Sequence, residues 1–337
     1  VIYLSESILV KIAKNVKLRE GSEGVKSFFR VVYQNQGIST KETAKQMRIP
    51  IPIVAAIKQE AIKEGLVEPG STLRVTEKGN LFCKEDLGLM LHQSRVCDNC
   101  KGLKYMVPDD LRELESKFES IIKNRPIVDV TVDQAHATVK TSIRRAVLAL
   151  EKGLLFNKRI ALMGDDDYIS LAIMLLWQEL YDSNGPELVV FDIDQRILNH
   201  LDTLAENLNY NLTTVYYDAR DQLKEEFINR FDVVFTDPPY TVNGADLFVK
   251  RANQLLINEI GKTLVFSFGQ KAPLESWEVQ NRIIKHGFSI EEVILGFNEY
   301  LGAAILGSVG QLMVLIKSNL NQEIEEYETK DIYTRQK

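Results

Sequence analysis

The stretch Arg159-Ile160-Ala161-Leu162-Met163-Gly164-Asp165-Asp166-Asp167 constrains this chain most. An apolar run stops at a glycine, three carboxylates follow, and a helical pattern starts at Tyr168. In an open α/β sheet this is the first strand, its tight turn and the next helix, and ligands sit in the crevice beside it. A turn built for a phosphate or a substrate carboxylate offers glycines and backbone N–H groups. This one offers three adjacent carboxylates, which repel one another unless a cation joins them. The expected ligand is therefore a cation.

The pattern downstream alternates. Apolar runs over 159–163, 187–191, 212–217, 231–236, 262–268, 289–297 and 311–317 predict strands; amphipathic stretches over 168–182, 195–209, 244–259 and 274–286 predict helices. Such alternation predicts a doubly wound, mainly parallel sheet. Two final strands with no long helix between them suggest a closing antiparallel hairpin, as in a class I methyltransferase-like Rossmann sheet.

The front of the 337-residue chain reads differently. Residues 1–19 look like a helix packing on a partner. Ser22 to Gln34 is helical, with Val25, Phe28, Phe29 and Val32 on one face. Ser39 and Glu42 form a capping box, and Pro50 and Pro52 suit the entry to a third helix. Short strands around 66–67 and 73–75 flank a Pro69-Gly70 turn. This order resembles a winged helix. Its third helix carries Lys58, Lys63, Glu60 and Glu64, a nearly neutral face that argues against a major-groove contact. We divide the chain into 1–95 (helix and winged-helix domain), 96–152 (knuckle and helical linker), 153–318 (Rossmann-like domain) and 319–337 (flexible acidic tail). In the linker, Pro108 to Asn124 is expected to be a charged, solvated helix. Val132 to Lys152 is expected to be a second helix, with Asp133 and Gln134 at its start and His136 as a surface or junction residue.

Charge follows the same division. Residues 21–80 hold nine Lys/Arg against six Asp/Glu; residues 157–317 hold thirteen against twenty-three. An acidic half favours a polycationic substrate and disfavours nucleic acid. No apolar run approaches the ~18 residues of a membrane span, and the first 19 residues do not read as a secretory signal. Three cysteines are too few for a disulfide framework, so a cytoplasmic protein is expected. Cys97 and Cys100 form half of a zinc knuckle. Zinc needs four ligands, and only Cys83, which reads as an apolar helix position, and His92 lie nearby, so no metal is expected.

The strand ends add chemistry. Asp192 closes the second predicted strand, where an acid accepts from ribose hydroxyls, and Asp194 suits the cap of the next helix. Asp218 and Ala219 close the third, where a carboxylate can accept from an adenine amine. Asp237-Pro238-Pro239-Tyr240 closes the fourth. Two prolines stiffen that turn, a carboxylate accepts from an amine, and an aromatic face attracts a cation by roughly 0.5–2 kcal/mol. An adenosine pocket beside an amine site means alkyl transfer from a sulfonium to nitrogen, with alignment supplying most of the catalysis. The donor is either S-adenosylmethionine, giving an amino-methyltransferase acting on nucleic acid or protein, or its decarboxylated form. Three aspartates would repel the carboxylate of the intact tail and hold the ammonium of the shortened one. A third reading is a DNA-binding regulator with a non-catalytic ligand-sensing domain.

Met163-Gly164-Asp165-Asp166-Asp167, Phe191-Asp192-Ile193-Asp194 and Asp237-Pro238-Pro239-Tyr240, together with the front half and the Arg144-Arg145 helix, resemble the branched-chain polyamine synthases, the N(4)-bis(aminopropyl)spermidine synthase family. The resemblance implies transfer of aminopropyl groups from decarboxylated S-adenosylmethionine, a co-substrate rather than a tightly bound cofactor, to the central secondary amine of spermidine, releasing methylthioadenosine. It implies a homodimer and a thermophilic source. Gly164, Asp165, Asp166, Asp192, Asp218 and Ala219 would hold the donor. Asp167 would be the base or ammonium anchor, and Asp237 and Tyr240 would position the amine. Apart from the resemblance, Phe297-Asn298-Glu299-Tyr300-Leu301 follows a strand end, where Glu299 either adds a carboxylate to the polyamine site or belongs to a simple strand exit, and the acidic run 323–328 reads as a solvated end, with closure over a cationic substrate as the alternative.

Overall fold

A computed structural model describes residues 2–89, 97, 99–100, 102–181, 184–301, 309–320 and 331–334, the side chains of 2–7 and 110 excepted. His92 and the acidic run 323–328 lie outside the described residues. The chain forms two compact units: Val1–Cys97 with Gln270–Ser276 and Gly302–Val309, and Asp98–Gly269 with Trp277–Leu301 and Gly310–Lys337.

The smaller unit contains α1 (Ile2–Asn15), α2 (Gly21–Gln34), β1 (Ile38–Ser39), α3 (Thr40–Met47), α4 (Ile51–Lys63), β2 (Thr72–Leu73) and α5 (Glu77–Leu81). Ser39 Oγ accepts the Glu42 N–H at 3.1 Å, which fixes the start of α3. Val25, Phe28, Phe29 and Val32 of α2 are buried with Leu9, Ile12 and Ala13 of α1 in one core. The first helix thus packs within its own unit. Of the expected strands, 66–67 and 73–75 share only a Val67–Val75 bridge, while β1 pairs antiparallel with β2. Lys58 of α4 is buried, its Nζ donating to Gly70 O at 2.5 Å. Glu60 pairs with Lys63, and Glu64 with Lys11. Cys83 lies in the same core, where burial pushes its thiol up to about 12. Cys97 is exposed and Cys100 half-buried. Among the described residues no group of three or more His, Cys, Asp or Glu is placed to hold a metal ion.

The larger unit is built on β3 (Arg159–Met163), β4 (Glu187–Asp192), β5 (Leu212–Tyr216), β6 (Val233–Thr236), β7 (Thr263–Gly269), β8 (Phe288–Glu299) and β9 (Val309–Lys317). Their order across the sheet is β5-β4-β3-β6-β7-β9-β8. The first five are mutually parallel and β9 runs antiparallel to β7. The order reverses at β3, so the carboxyl ends of β3, β4 and β6 open one crevice. Apolar residues on both faces explain why the strands read as continuous runs: all four side chains of 160–163 are buried. The helices of this unit are α6 (Arg112–Ile122), α7 (Val139–Glu151), α8 (Ile169–Leu180), α9 (Gln195–Asn207), α10 (Val242–Leu255) and, from Trp277 onward, α11 (Pro273–Lys285). No described helix is long and apolar enough to cross a membrane.

Two expectations for the linker are corrected. The helix near 108–124 is not simply solvated: Leu114, Phe118 and Ile122 are buried in the main core, with the charges on the other side. The helix expected from Val132 starts instead at Val139, capped by Thr138. Residues 133–138 cannot join it. Asp133 is left-handed, with φ 61°, and Ala137 forms a β-bridge with Tyr300. The N–H groups of Ala135 and Ala137 are bound to aspartate side chains.

Candidate active site

The turn after β3 divides its three carboxylates between different tasks. Gly164, with φ 74°, donates its N–H to Phe191 O at 2.8 Å, a left-handed conformation that favours glycine. Asp165 donates its N–H to Asp192 Oδ2 at 2.9 Å. Its own carboxylate turns onto the start of α8, accepting from Ile169 N at 2.7 Å and from the hydroxyl and N–H of Ser170. Tyr168 occupies the cap position in a left-handed conformation, φ 56°, and supplies no side-chain cap. Asp165 satisfies the orphan donors in its place. Burial pushes its carboxyl up to about 8. The expectation that Asp165 faces the donor is thus replaced: its side chain belongs to the helix terminus.

Asp166 and Asp167 are held by the segment 135–138. Ala135 N–H donates to Asp166 Oδ2 at 3.1 Å, and Ala137 N–H to Asp167 Oδ1 at 2.5 Å. Ser142 Oγ donates to Asp167 O at 2.7 Å. That segment is itself tied to the end of β8, through Thr138 N to Glu299 O and Leu301 N to His136 O, each 2.8 Å. Asp166 lines the cleft. Burial raises its carboxyl well above the usual range, and the charges of Asp167, Asp192 and Asp237 add to the effect.

Asp167 does not line the cleft; it is 2% exposed and paired with Arg145. Arg145 on α7 is fully buried, and its guanidinium is the centre of the site. Nη1 lies 2.6 Å from Asp167 Oδ2, and Nη2 lies 2.9 Å from Asp237 Oδ2 and 3.0 Å from the Tyr300 hydroxyl. Nε donates to Asn298 Oδ1 at 2.9 Å. Tyr300 OH donates to the same Asp237 Oδ2 at 2.6 Å. Asp237 Oδ1 is buried and accepts from none of the described residues. Burial pushes Asp237 up to about 6, against the pull of Arg145. Tyr240 is placed edge-on to Phe268 and Tyr300, with ring centroids 5.3 and 6.2 Å away. Its ring lies over Gly269, where a Cβ would come within 2.5 Å of it.

The donor side forms around Asp192, which lines the cavity at the end of β4. Its oxygens accept from Asp165 N and Asp194 N, and burial pushes it up to about 6. Asp194 caps α9 by accepting from Arg196 N. Ala219 lines the cavity, and its carbonyl is fixed by Arg251 Nε at 2.8 Å. Asp218 does not line it; its carboxylate is paired with Arg220 at 2.5 Å. The end of the chain supplies a wall. Ile332 O accepts from Thr241 Oγ1 at 2.7 Å, Thr334 bonds to Asp133 through both its N–H and its hydroxyl, and Tyr333 lines the cavity beneath Arg220. Glu299 is not in the lining; its backbone holds α7, through Glu299 N to Thr141 Oγ1 at 3.0 Å.

Asp133, Asp166, Asp192 and Asp237 line this cavity, together with Tyr217 and Tyr333, and no Lys or Arg is among the lining residues described. Such a lining favours a cation over a carboxylate. Reading the sequence missed Arg145 as the hub, Asn298 and Tyr300 as its partners, and Tyr333 as a wall. The signal for Arg145 was its position in the α7 pattern, on the face of Ser142 and Ala149 rather than among the charged residues.

Residues 113–335 match the family of the branched-chain polyamine synthase A C-terminal domain. The chain belongs to the branched-chain polyamine synthase family. It is 35% identical to an uncharacterised protein of Methanocaldococcus jannaschii over 97% of this chain and 81% of that one. It is 34% identical to the N(4)-bis(aminopropyl)spermidine synthase of the same organism over 75% of this chain and 71% of that one. Its fold is similar to that of the Thermus thermophilus branched-chain polyamine synthase, solved in complex with N4-aminopropylspermidine and 5'-methylthioadenosine. The TM-score is 0.74 at 21% identity, covering 97% of this chain and 98% of that one.

Proposed function

We propose that the chain transfers aminopropyl groups from decarboxylated S-adenosylmethionine to the central secondary amine of spermidine, releasing methylthioadenosine. The observation that carries this reading is the cavity lining: four aspartates and, among the described lining residues, no lysine or arginine, in a member of this family. The amine nitrogen attacks the aminopropyl carbon bound to sulfur. The C–S bond breaks, its electrons return to sulfur, and the alkylated amine loses a proton to a carboxylate. In this reading Gly164, Asp192 and Ala219 seat the adenosine, and Asp218 contributes only through Arg220. Asp237 presents Oδ1 to the amine because Oδ2 is already bound. Tyr300 steadies that carboxylate through Oδ2, and Tyr240 packs edge-on against Tyr300. Asp166 takes the role of ammonium anchor and proton acceptor, and Asp167 keeps Arg145 in place.

Incubation with each donor in the presence of spermidine, followed by mass spectrometry of the amine, tests this reading. Aminopropylation from the decarboxylated donor is expected. Methylation from intact S-adenosylmethionine instead would favour the methyltransferase alternative. The charges on α4 that are buried or paired within the unit support a covering or assembly role for the winged-helix-like front rather than a DNA contact. Light scattering tests the homodimer that family resemblance implies.

A further inference from the structure

The three carbonyls of the aspartate turn each face a different polar partner. Asp165 O accepts from Tyr168 N at 2.9 Å, and Asp167 O from Ser142 Oγ at 2.7 Å. Asp166 O faces His136 Nδ1 at 3.1 Å. The other ring nitrogen of His136 faces Pro126 O, also at 3.1 Å. A neutral imidazole donates to only one of two such carbonyls. Burial lowers the proton affinity of His136 and Arg125 adds to this, which favours the neutral ring. Pro126 is partly exposed and beside the exposed Ile127, where water can serve its carbonyl. The backbone on either side of His136 grips the two carboxylates from the front, Ala135 N–H on Asp166 and Ala137 N–H on Asp167.

We infer that His136 is a positioning residue for the transfer step: its Nδ1–H holds the Asp166 peptide from behind and thereby sets where the Asp166 carboxylate stands in the cleft. This inference rests on the aminopropyl-transfer reading. His136 is not among the residues that line the aspartate cavity, so its loss acts on turnover through the aim of Asp166. A displacement of about 1 Å at such a group can cost up to about 100-fold in rate.

Two substitutions separate the ring nitrogens. An asparagine amide reaches the place of Nδ1, and a glutamine amide that of Nε2. His136→Asn is expected to retain kcat within about threefold, while His136→Gln loses about tenfold or more. In both, the dissociation constant for methylthioadenosine should stay within about twofold. The double variant His136→Gln, Asp166→Asn should be no slower than Asp166→Asn alone. Equal kcat values for the Asn and Gln variants, or an additive loss in the double variant, would overturn the proposal. The double-variant comparison serves even where one single variant folds poorly. A wild-type protein that releases no methylthioadenosine from the decarboxylated donor would defeat the functional reading itself. A productive wild type with the wrong order of variants defeats only the role of His136.

Discussion

Arg145 Nη2 stands 2.9 Å from Asp237 Oδ2, and this pair joins α7 to the turn after β6. Because Nη1 also holds Asp167, one buried cation orders two acidic turns that are 70 residues apart in the chain. Arg145 neutralises part of the acidic cluster without entering the cavity lining. It leaves Asp166, Asp192 and Asp237 Oδ1 for ligand.

Replacing Arg145 with Met should therefore be severe. Breaking a buried pair leaves uncompensated carboxylates and typically costs about 3–5 kcal/mol. A large fall in thermal midpoint is expected, partly recovered at acid pH where the freed carboxylates protonate. A midpoint within a few degrees of wild type at neutral pH would refute the hub role.

Asp166 and Asp167 should separate cleanly. Asp166→Asn keeps the shape but removes the proton acceptor, so kcat should drop by about 100-fold or more with little change in stability. Asp167→Asn weakens the anchor of Arg145, so its thermal midpoint should fall as well. Steady-state kinetics with paired melting curves check both. If Asp167→Asn removed turnover with an unchanged midpoint, Asp167 would be the base.

The acid cluster sets a pH dependence. Burial pushes Asp192 and Asp237 up to about 6. Their folded-state values are raised, so they favour the folded state below the unfolded value of about 4, and that contribution is lost as pH rises through about 6. A bound dication reverses the penalty. The decarboxylated donor should raise the thermal midpoint more at pH 8 than at pH 5, and kcat/KM for it should decline below about pH 6. Tyr300→Phe removes a hydrogen bond that lowers Asp237, so the acid limb should move to higher pH.

Tyr333→Ala opens the wall between Arg220 and the cavity. Loss of one aromatic contact of about 0.5–1.5 kcal/mol should weaken methylthioadenosine binding up to about tenfold. Calorimetric titration measures this directly. Unchanged affinity would show that the residue lies against the cleft without serving it.

The sheet was legible because its central strands β3, β4, β6 and β7 carry apolar runs that end at a breaker or an acidic turn. Gly164 ended β3 where expected, and the Asp194 cap was readable from local chemistry. The carboxylate assignments were less legible because they depend on long-range partners. Nothing near Asp165 in sequence announces that Tyr168 would adopt a left-handed conformation and leave α8 needing a substitute acceptor. Nothing near Asp167 announces Arg145. The segment 133–138 followed a helical pattern, but the N–H groups of Ala135 and Ala137 bind aspartates some 30 residues onward, and that outcompetes local propensity.

The bridge between Ala137 and Tyr300 brings a consequence for biosynthesis. It joins the lead-in to α7 with the far end of β8, two segments translated at opposite ends of the larger unit. A growing polypeptide that has made β3 to β7 already possesses every aspartate of the cavity, yet lacks Asn298 and Tyr300 to share Arg145. In the sheet β8 reaches β7 only through β9, so the partners of Arg145 are in place only once the last strand is made, and unfinished chains carry the acids without the architecture that aims them.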